Sequence, residues 1–265
     1  MAIRASTSTV LMGHKFGDAH LVSSLSCIDL LIAAFSHFED QRMKLILSKG
    51  HAACAYYSTI AEFKRIPRSE LLKFNQDNSP YGIHVSSHLL SEVVLSTGSL
   101  GHGLSVGAGI SYGAKLHSRD QYSVVIIGDG ETNEGSIWEA ALIAASLELA
   151  NLIAVVDMNA VQSVAEYYEV NGGGSLAKKF ESFGWDVIEV DGHSLPDLLD
   201  ALKSSTKLKT KPTAILADTK KNARVPTMQS GVVWHYRKPS DEDLAMALKE
   251  LNSHVECPEI IELFK

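Results

Sequence analysis

Asp129 and Asn159 are the residues whose types and spacing most readily add up to chemistry. Asp129 closes an apolar run beginning at Tyr122, and Asn159, thirty residues on, closes a second run beginning at Asn151. If the two runs are neighbouring parallel strands, both residues reach the same sheet edge, where α/β proteins bind ligands. A carboxylate, an amide oxygen and a nearby backbone carbonyl are hard oxygen donors suited to Mg²⁺. Gly130 lets the backbone approach an anion, and a helix starting just after it favours negative charge. Taken singly, each residue reads as a turn cap. Taken together, they read as a metal-held diphosphate site.

Histidine is the second signal, with 11 in the chain. His20, His51, His84 and His235 fall in or beside expected loops, where imidazoles can bind hydroxyls and move protons near neutral pH. His14, His37, His88, His117 and His254 read as ordinary exposed side chains. Two glycine patterns carry less. Gly103-Leu104-Ser105-Val106-Gly107 satisfies the hydrolase GxSxG, but Ser105 should already lie inside a helix rather than at a sharp strand-to-helix turn. Gly101-His102-Gly103 with Gly107 echoes a dinucleotide fingerprint, but Asp120 at the acidic offset precedes a strand instead of ending one.

The elements that must position these residues follow from hydrophobic periodicity. Strands are expected at 42–47, 93–95, 122–127, 151–156, 185–190 and 213–217. Helices are expected at 5–12, 25–38 (with a wet face carrying Asp29), 52–63, 68–75, about 103–117, 136–149, 195–203 and 241–251, the last capped by Ser240. Residues 75–87 read as surface loop. Unbroken apolar strands around a helix form a parallel βαβ unit. The expected fold is therefore α/β, a parallel β-sheet flanked by helices, in one domain over 1–265.

Composition narrows the classes. The chain has 265 residues, 45% apolar and 21% charged, with a net charge of −7. There is no basic stripe to bind nucleic acid and no near-20-residue apolar span for a membrane. The N-terminus MAIRASTSTV lacks a secretory apolar run. Three widely spaced cysteines, at 27, 54 and 257, fit a reducing compartment. A cytoplasmic protein is expected, with a small-molecule enzyme and a soluble binding protein both open.

Several segments then carry a resemblance over nearly the whole chain. They are Leu47-Ser-Lys-Gly-His51-Ala, Ser96-Thr-Gly-Ser-Leu-Gly101, Gly128-Asp-Gly-Glu-Thr-Asn-Glu134-Gly, the run ending Asp157-Met-Asn159, Phe183 to His193, and Trp234-His235. The chain resembles the N-terminal, diphosphate-binding portion of transketolases, thiamine diphosphate enzymes that move two-carbon ketol units. The resemblance implies a thiamine-diphosphate-binding fold. It also implies Mg²⁺ held by Asp129, the Asn159 side chain and the Val161 carbonyl. His51 and the Gly130 amide would touch the diphosphate, and the backbones of Gly98 and Leu100 would border the aminopyrimidine. Glu134 would lie near a subunit interface, coupled to the partner's activating glutamate. His20, His84 and His235 would bind ketose hydroxyls and assist proton transfer.

A whole transketolase also has a pyrimidine-binding and a C-terminal domain. The resemblance therefore implies one subunit of a split enzyme, paired with a separate subunit carrying the pyrimidine-binding domain in an α2β2 assembly and acting on sugars or sugar phosphates. The sequence departs from the family pattern at His20-Leu21-Val22, where His-Pro-Gly is usual, at His102, where glutamine is usual, and at 220–224, usually rich in Lys and Gly. These departures bear on the sugar more than on the cofactor, so a branched or modified sugar is open. Another thiamine diphosphate activity, of synthase or 2-oxoacid dehydrogenase E1 type, is the alternative.

Overall fold

The computed structural model describes residues 1–17, 19–38, 42–159, 174–207, 210–221, 223–228, 234 and 237–265. Among these residues five parallel strands form one sheet in the order β1-β2-β3-β5-β4. They are β1 Met43–Leu47, β2 Tyr122–Gly128, β3 Leu152–Met158, β4 Asp186–Asp191 and β5 Thr213–Asp218. The expected fold class, a parallel sheet flanked by helices, is the one observed.

Alternation along the strands assigns the two faces. Val124 and Ile126 of β2, with Ile153 and Val155 of β3, join one buried cluster. Val125 and Ile127, with Leu152, Ala154 and Val156, join the other. The first cluster is covered by α1 (Ala2–Phe16), α2 (Leu21–His37), α3 (Ala53–Glu62) and α7 (Leu195–Ser205). On the second lie α4 (His102–Leu116), α5 (Gly135–Ser146) and α6 (Leu176–Ser182). Strands wet on neither face need no polar alternation, which is why β2 and β3 read as continuous apolar runs. Three closing helices, α8 Asp241–Glu250, α9 Ser253–Glu256 and α10 Pro258–Phe264, pack beside α1. Ser240 caps α8, as the sequence pattern predicts, and the structure adds the reciprocal contact with Asp243 that completes a capping box.

The differences from expectation have physical causes. α1 is far longer than 5–12, and its run Ser6-Thr7-Ser8-Thr9 is fully buried. Short hydroxyls weaken a helix pattern when read as solvated. Here Thr7 bonds the Ile3 carbonyl at 2.9 Å and the Ser253 hydroxyl at 2.7 Å, and Thr9 donates to Ser58 at 2.9 Å. Residues 93–95 form no strand; the Val93 amide turns back to the Leu90 carbonyl at 3.0 Å. The helix expected at 68–75 is a 3₁₀ turn, Arg68–Lys73. Asp29, assigned by periodicity to a wet face, is only 3% exposed. Among the described residues no helix is long and apolar enough to cross a membrane.

Candidate functional site

The parallel register sets Gly128 opposite Asp157, and the Asp129 amide bonds the Asp157 carbonyl at 3.2 Å. Asp129 and Asn159 thus meet at the carboxyl edge, as their spacing predicts, and both are buried, at 3% and 8% exposure. The Asp129 carboxylate accepts the Gly130 N–H at 2.7 Å and caps a 3₁₀ turn, Gly130–Asn133. Asn159 donates its amide nitrogen to Asp157 at 3.2 Å. That contact fixes the sense of the amide, because a carboxylate only accepts. The Asn159 oxygen is therefore directed away from Asp157. Val161 and His235 lie outside the described residues.

Behind this pair sits a buried ion pair that the sequence pattern does not reveal. Lys49 (1% exposed) contacts Asp157 (0%). Asp157 also accepts from Ser26 at 2.6 Å and from the Thr219 hydroxyl. Burial pushes the Asp157 carboxyl up, but Lys49 and the hydroxyl donors outweigh it and hold it below the usual carboxylate range. The one available signal is the place of Lys49 inside the Ser48-Lys49-Gly50-His51 motif. A lysine in a loop ordinarily reads as solvated.

Glu131 ties the loops around the site together and is equally hidden in the sequence. Its buried carboxylate takes the Ser48 hydroxyl, the Gly101 amide at 2.8 Å and the Gly128 amide at 3.2 Å. Burial raises its proton affinity, against the pull of those donors. Gly101 sits at φ 86°, where a Cβ would lie 2.6 Å from the Glu134 Cβ and 2.5 Å from the Ser136 hydroxyl. Only glycine fits there. Glu134 is exposed at the start of α5. Gly50 is as confined, for its Cβ would lie 2.7 Å from the Thr97 backbone, so the 48–51 and 96–101 loops are in close contact.

That contact brings the histidines together. His20 precedes α2 in a left-handed conformation (φ 40°). Its ring centroid lies 5.5 Å from His51 and 6.0 Å from His84. A Cβ on Gly98 would meet the His84 ring at 3.3 Å. Burial holds His84 below the usual histidine value, so it is neutral near pH 7. Leu21 and Val22, the departure from His-Pro-Gly, turn inward and are 3% and 1% exposed. Both lie in the first turn of α2, with Leu21 packed against Gly13 of α1. Of the histidines read as ordinary and exposed, His88, His117 and His254 are so, while His14 faces Asp241 at 2.9 Å.

Lys221 completes the group. Burial and the charge of Lys49 push its ammonium down to about 8, against the attraction of Asp129 and Asp157. A native pKa below the unfolded value of 10.5 means the unfolded chain binds more protons between the two values, so stability rises with pH across that window. Lys221→Met is therefore expected to stabilise the chain below pH 8, with the gain shrinking toward pH 10.5. Urea midpoints across that range check it, and a constant gain would sink the assignment. Cys27, pushed up to about 12 by burial, and the buried Cys54 and Cys257 lie in the core, well placed for packing.

The edge thus offers a buried carboxylate and amide oxygen, a glycine amide, a half-buried ammonium and an imidazole cluster. Comparison with known proteins identifies the family to which this chain belongs. Residues 35–256 match the family model described as transketolase, thiamine diphosphate binding domain. The chain is 32% identical over 255 residues to one of the subunits of the apulose-4-phosphate transketolase of Phocaeicola vulgatus, covering 92% of this chain and 89% of that protein. It is 30% identical over 246 residues to 6-deoxy-6-sulfo-D-fructose transketolase subunit SqwG of a Clostridium species, covering 89% and 90%. The fold superposes on the transketolase of Campylobacter jejuni with a TM-score of 0.81 at 22% identity, covering 99% of this chain but only 46% of that one. The chain belongs to the transketolase family and comprises its thiamine diphosphate-binding domain.

Proposed function

We propose that residues 1–265 act as a single diphosphate-binding domain, forming the diphosphate-binding subunit of a two-chain transketolase. The reading rests above all on the buried Asp129 beside Asn159 at one sheet edge, with the His20, His51 and His84 rings grouped nearby. Among the described residues no three His, Cys, Asp or Glu side chains converge on a metal. An ion here would rely on one carboxylate, the Asn159 amide oxygen and a backbone carbonyl, assigned to Val161. That hard, mostly neutral set suits Mg²⁺ shared with a diphosphate, which brings its own charge.

The residues fit the cofactor. His51, the Gly130 amide and Lys221 would meet the diphosphate, and Gly98 and Leu100 would border the aminopyrimidine. Bound thiamine diphosphate supplies the carbon nucleophile that carries a two-carbon ketol unit between sugars. The protein orients and exchanges protons. His20 and His84 would hold the sugar hydroxyls, His84 as a neutral imidazole, with His235 as a third. Glu134 would face the partner. Leu142 and Ile143, 55% and 53% exposed further along α5, give that helix an apolar surface suited to a second chain.

The partner proposed is a separate chain carrying the pyrimidine-binding domain, in an α2β2 complex. Support comes from near full-length alignment with proteins named as transketolase subunits, against less than half of a solved transketolase. The departure from His-Pro-Gly at Leu21 and Val22, both buried beside His20, is the reason a modified sugar is the substrate class we favour. The test is to co-express the chain with its pyrimidine-domain partner and measure Mg²⁺- and thiamine diphosphate-dependent transfer across a panel of ketose donors. Plain preference for xylulose 5-phosphate would remove the modified-sugar reading. No transfer from any donor would remove the transketolase activity.

A further inference from the structure

Asp29 lies buried on α2, yet two loops from the opposite half of the chain share its carboxylate. One oxygen lies 2.8 Å from Nδ1 of His193, and the other accepts from the Arg224 guanidinium at 2.7 Å. The second ring nitrogen, Nε2 of His193, accepts the backbone N–H of Lys220 at 2.9 Å. A ring nitrogen accepting a backbone N–H carries no proton, so Nδ1 is protonated and donates to Asp29. The partners on either side thus set the tautomer.

The turn presenting this ring is itself constrained. The Asp191 side chain takes the His193 amide at 2.8 Å, and the Gly192 amide bonds the Asp218 carbonyl at 2.8 Å. A Cβ on Gly192 would sit 2.9 Å from that carbonyl oxygen, so glycine alone lets the ends of β4 and β5 approach. On the other side, the 219–224 loop is tied at three points. The Thr219 hydroxyl bonds Asp157, the Lys220 amide bonds His193, and Arg224 pairs with Asp29 from a left-handed backbone at φ 65°. The Thr219 amide also reaches the Met158 carbonyl at 3.3 Å, which lays the loop across the ends of β3 and β5. Lys221 lies between the fastened points.

We propose that His193 is a positioning residue: a neutral imidazole latch that joins α2 to the segment following β5 and so fixes where Lys221 stands at the carboxyl edge of the sheet. The latch stands on these contacts alone. Its consequence for the cofactor rests on the diphosphate site proposed above.

Two substitutions separate the ring nitrogens. His193→Gln places an amide oxygen where Nε2 accepts and loses the donor to Asp29. His193→Asn keeps a donor near Nδ1 and loses the acceptor for Lys220. The readout is hydrogen–deuterium exchange of residues 219–225 in the full chain. Each variant cuts one end of the latch, so both are expected to speed exchange roughly tenfold, the worth of one neutral hydrogen bond. No acceleration in either variant, or acceleration in His193→Asn alone, overturns the latch, because a bridge fails when either end is cut whereas a contact confined to Lys220 needs only the acceptor. In the assembled enzyme His193→Asn is expected to raise the thiamine diphosphate concentration giving half-maximal rate, with kcat at saturation retained. Faster exchange with that concentration unmoved supports the latch and removes the diphosphate role of Lys221.

Discussion

Asp129→Ala is expected to abolish Mg²⁺-dependent uptake of thiamine diphosphate by the assembled enzyme while the chain still folds. The two halves of that expectation rest on different atoms. On the structural side, its carboxylate caps the 130–133 turn through the Gly130 amide, and losing such a cap costs about 1 kcal/mol. Its carbonyl still accepts the Thr132 amide and hydroxyl, at 3.0 Å and 2.6 Å. The functional work is larger, because Asp129 supplies the charge in the proposed ligand set. Removing a metal ligand forfeits several kcal/mol of charge stabilisation, so transfer should fall roughly a thousandfold or more. Calorimetric titration with Mg²⁺ and thiamine diphosphate reads the loss directly, and circular dichroism checks the fold. Unchanged Mg²⁺-dependent binding would move the site elsewhere.

Asp157→Ala is expected to have the largest effect on stability. Removing this carboxylate strands the Lys49 ammonium, 1% exposed, and leaves Ser26, Thr219 and Asn159 without their shared acceptor. Breaking a buried pair by deleting one partner costs about 3–5 kcal/mol, because the surviving charge stays desolvated. The double variant Lys49→Met/Asp157→Leu removes both charges and should unfold at a urea concentration much nearer the parent's. A single variant as stable as the double would show that Lys49 reaches water. The Asp157 carboxyl lies below the usual range when folded, so its contribution is present above the unfolded carboxylate value and is lost as pH falls through the folded one.

The sheet was largely legible in the sequence because its chemistry is local. Val124 to Ile127 and Leu152 to Val156 are apolar on both faces, and a run of that kind has few other solutions than a buried parallel strand. The pairing of Asp129 with Asn159 followed, since parallel neighbours bring their carboxyl ends to one edge. Glu131, Lys49, Asp157 and Asp29 were not legible, for the opposite reason. A charged side chain reads as solvated until its partner is known, and their partners lie far away in sequence: Ser48 for Glu131, Asp157 for Lys49, His193 and Arg224 for Asp29. The grouping of His20, His51 and His84 is intermediate. Residue type and loop placement suggested a cluster, but its closeness depends on contacts at Gly50 and Gly98 that spacing does not encode.

The strand order β1-β2-β3-β5-β4 also bears on how the chain assembles during synthesis. β4 emerges before β5, yet among the described residues the one strand it pairs with is β5. Until residues 213–218 are made, β3 and β4 each present an unpaired edge across a vacant slot, and such edges invite aggregation. Insertion of β5 is a non-local step, of the kind that is slow. The same step delivers Thr219 to Asp157 and Lys220 to His193. The anion-facing edge is therefore finished last, by the strand that seals the sheet, and a nascent chain halted before residue 213 would be both sticky and unable to hold a cofactor.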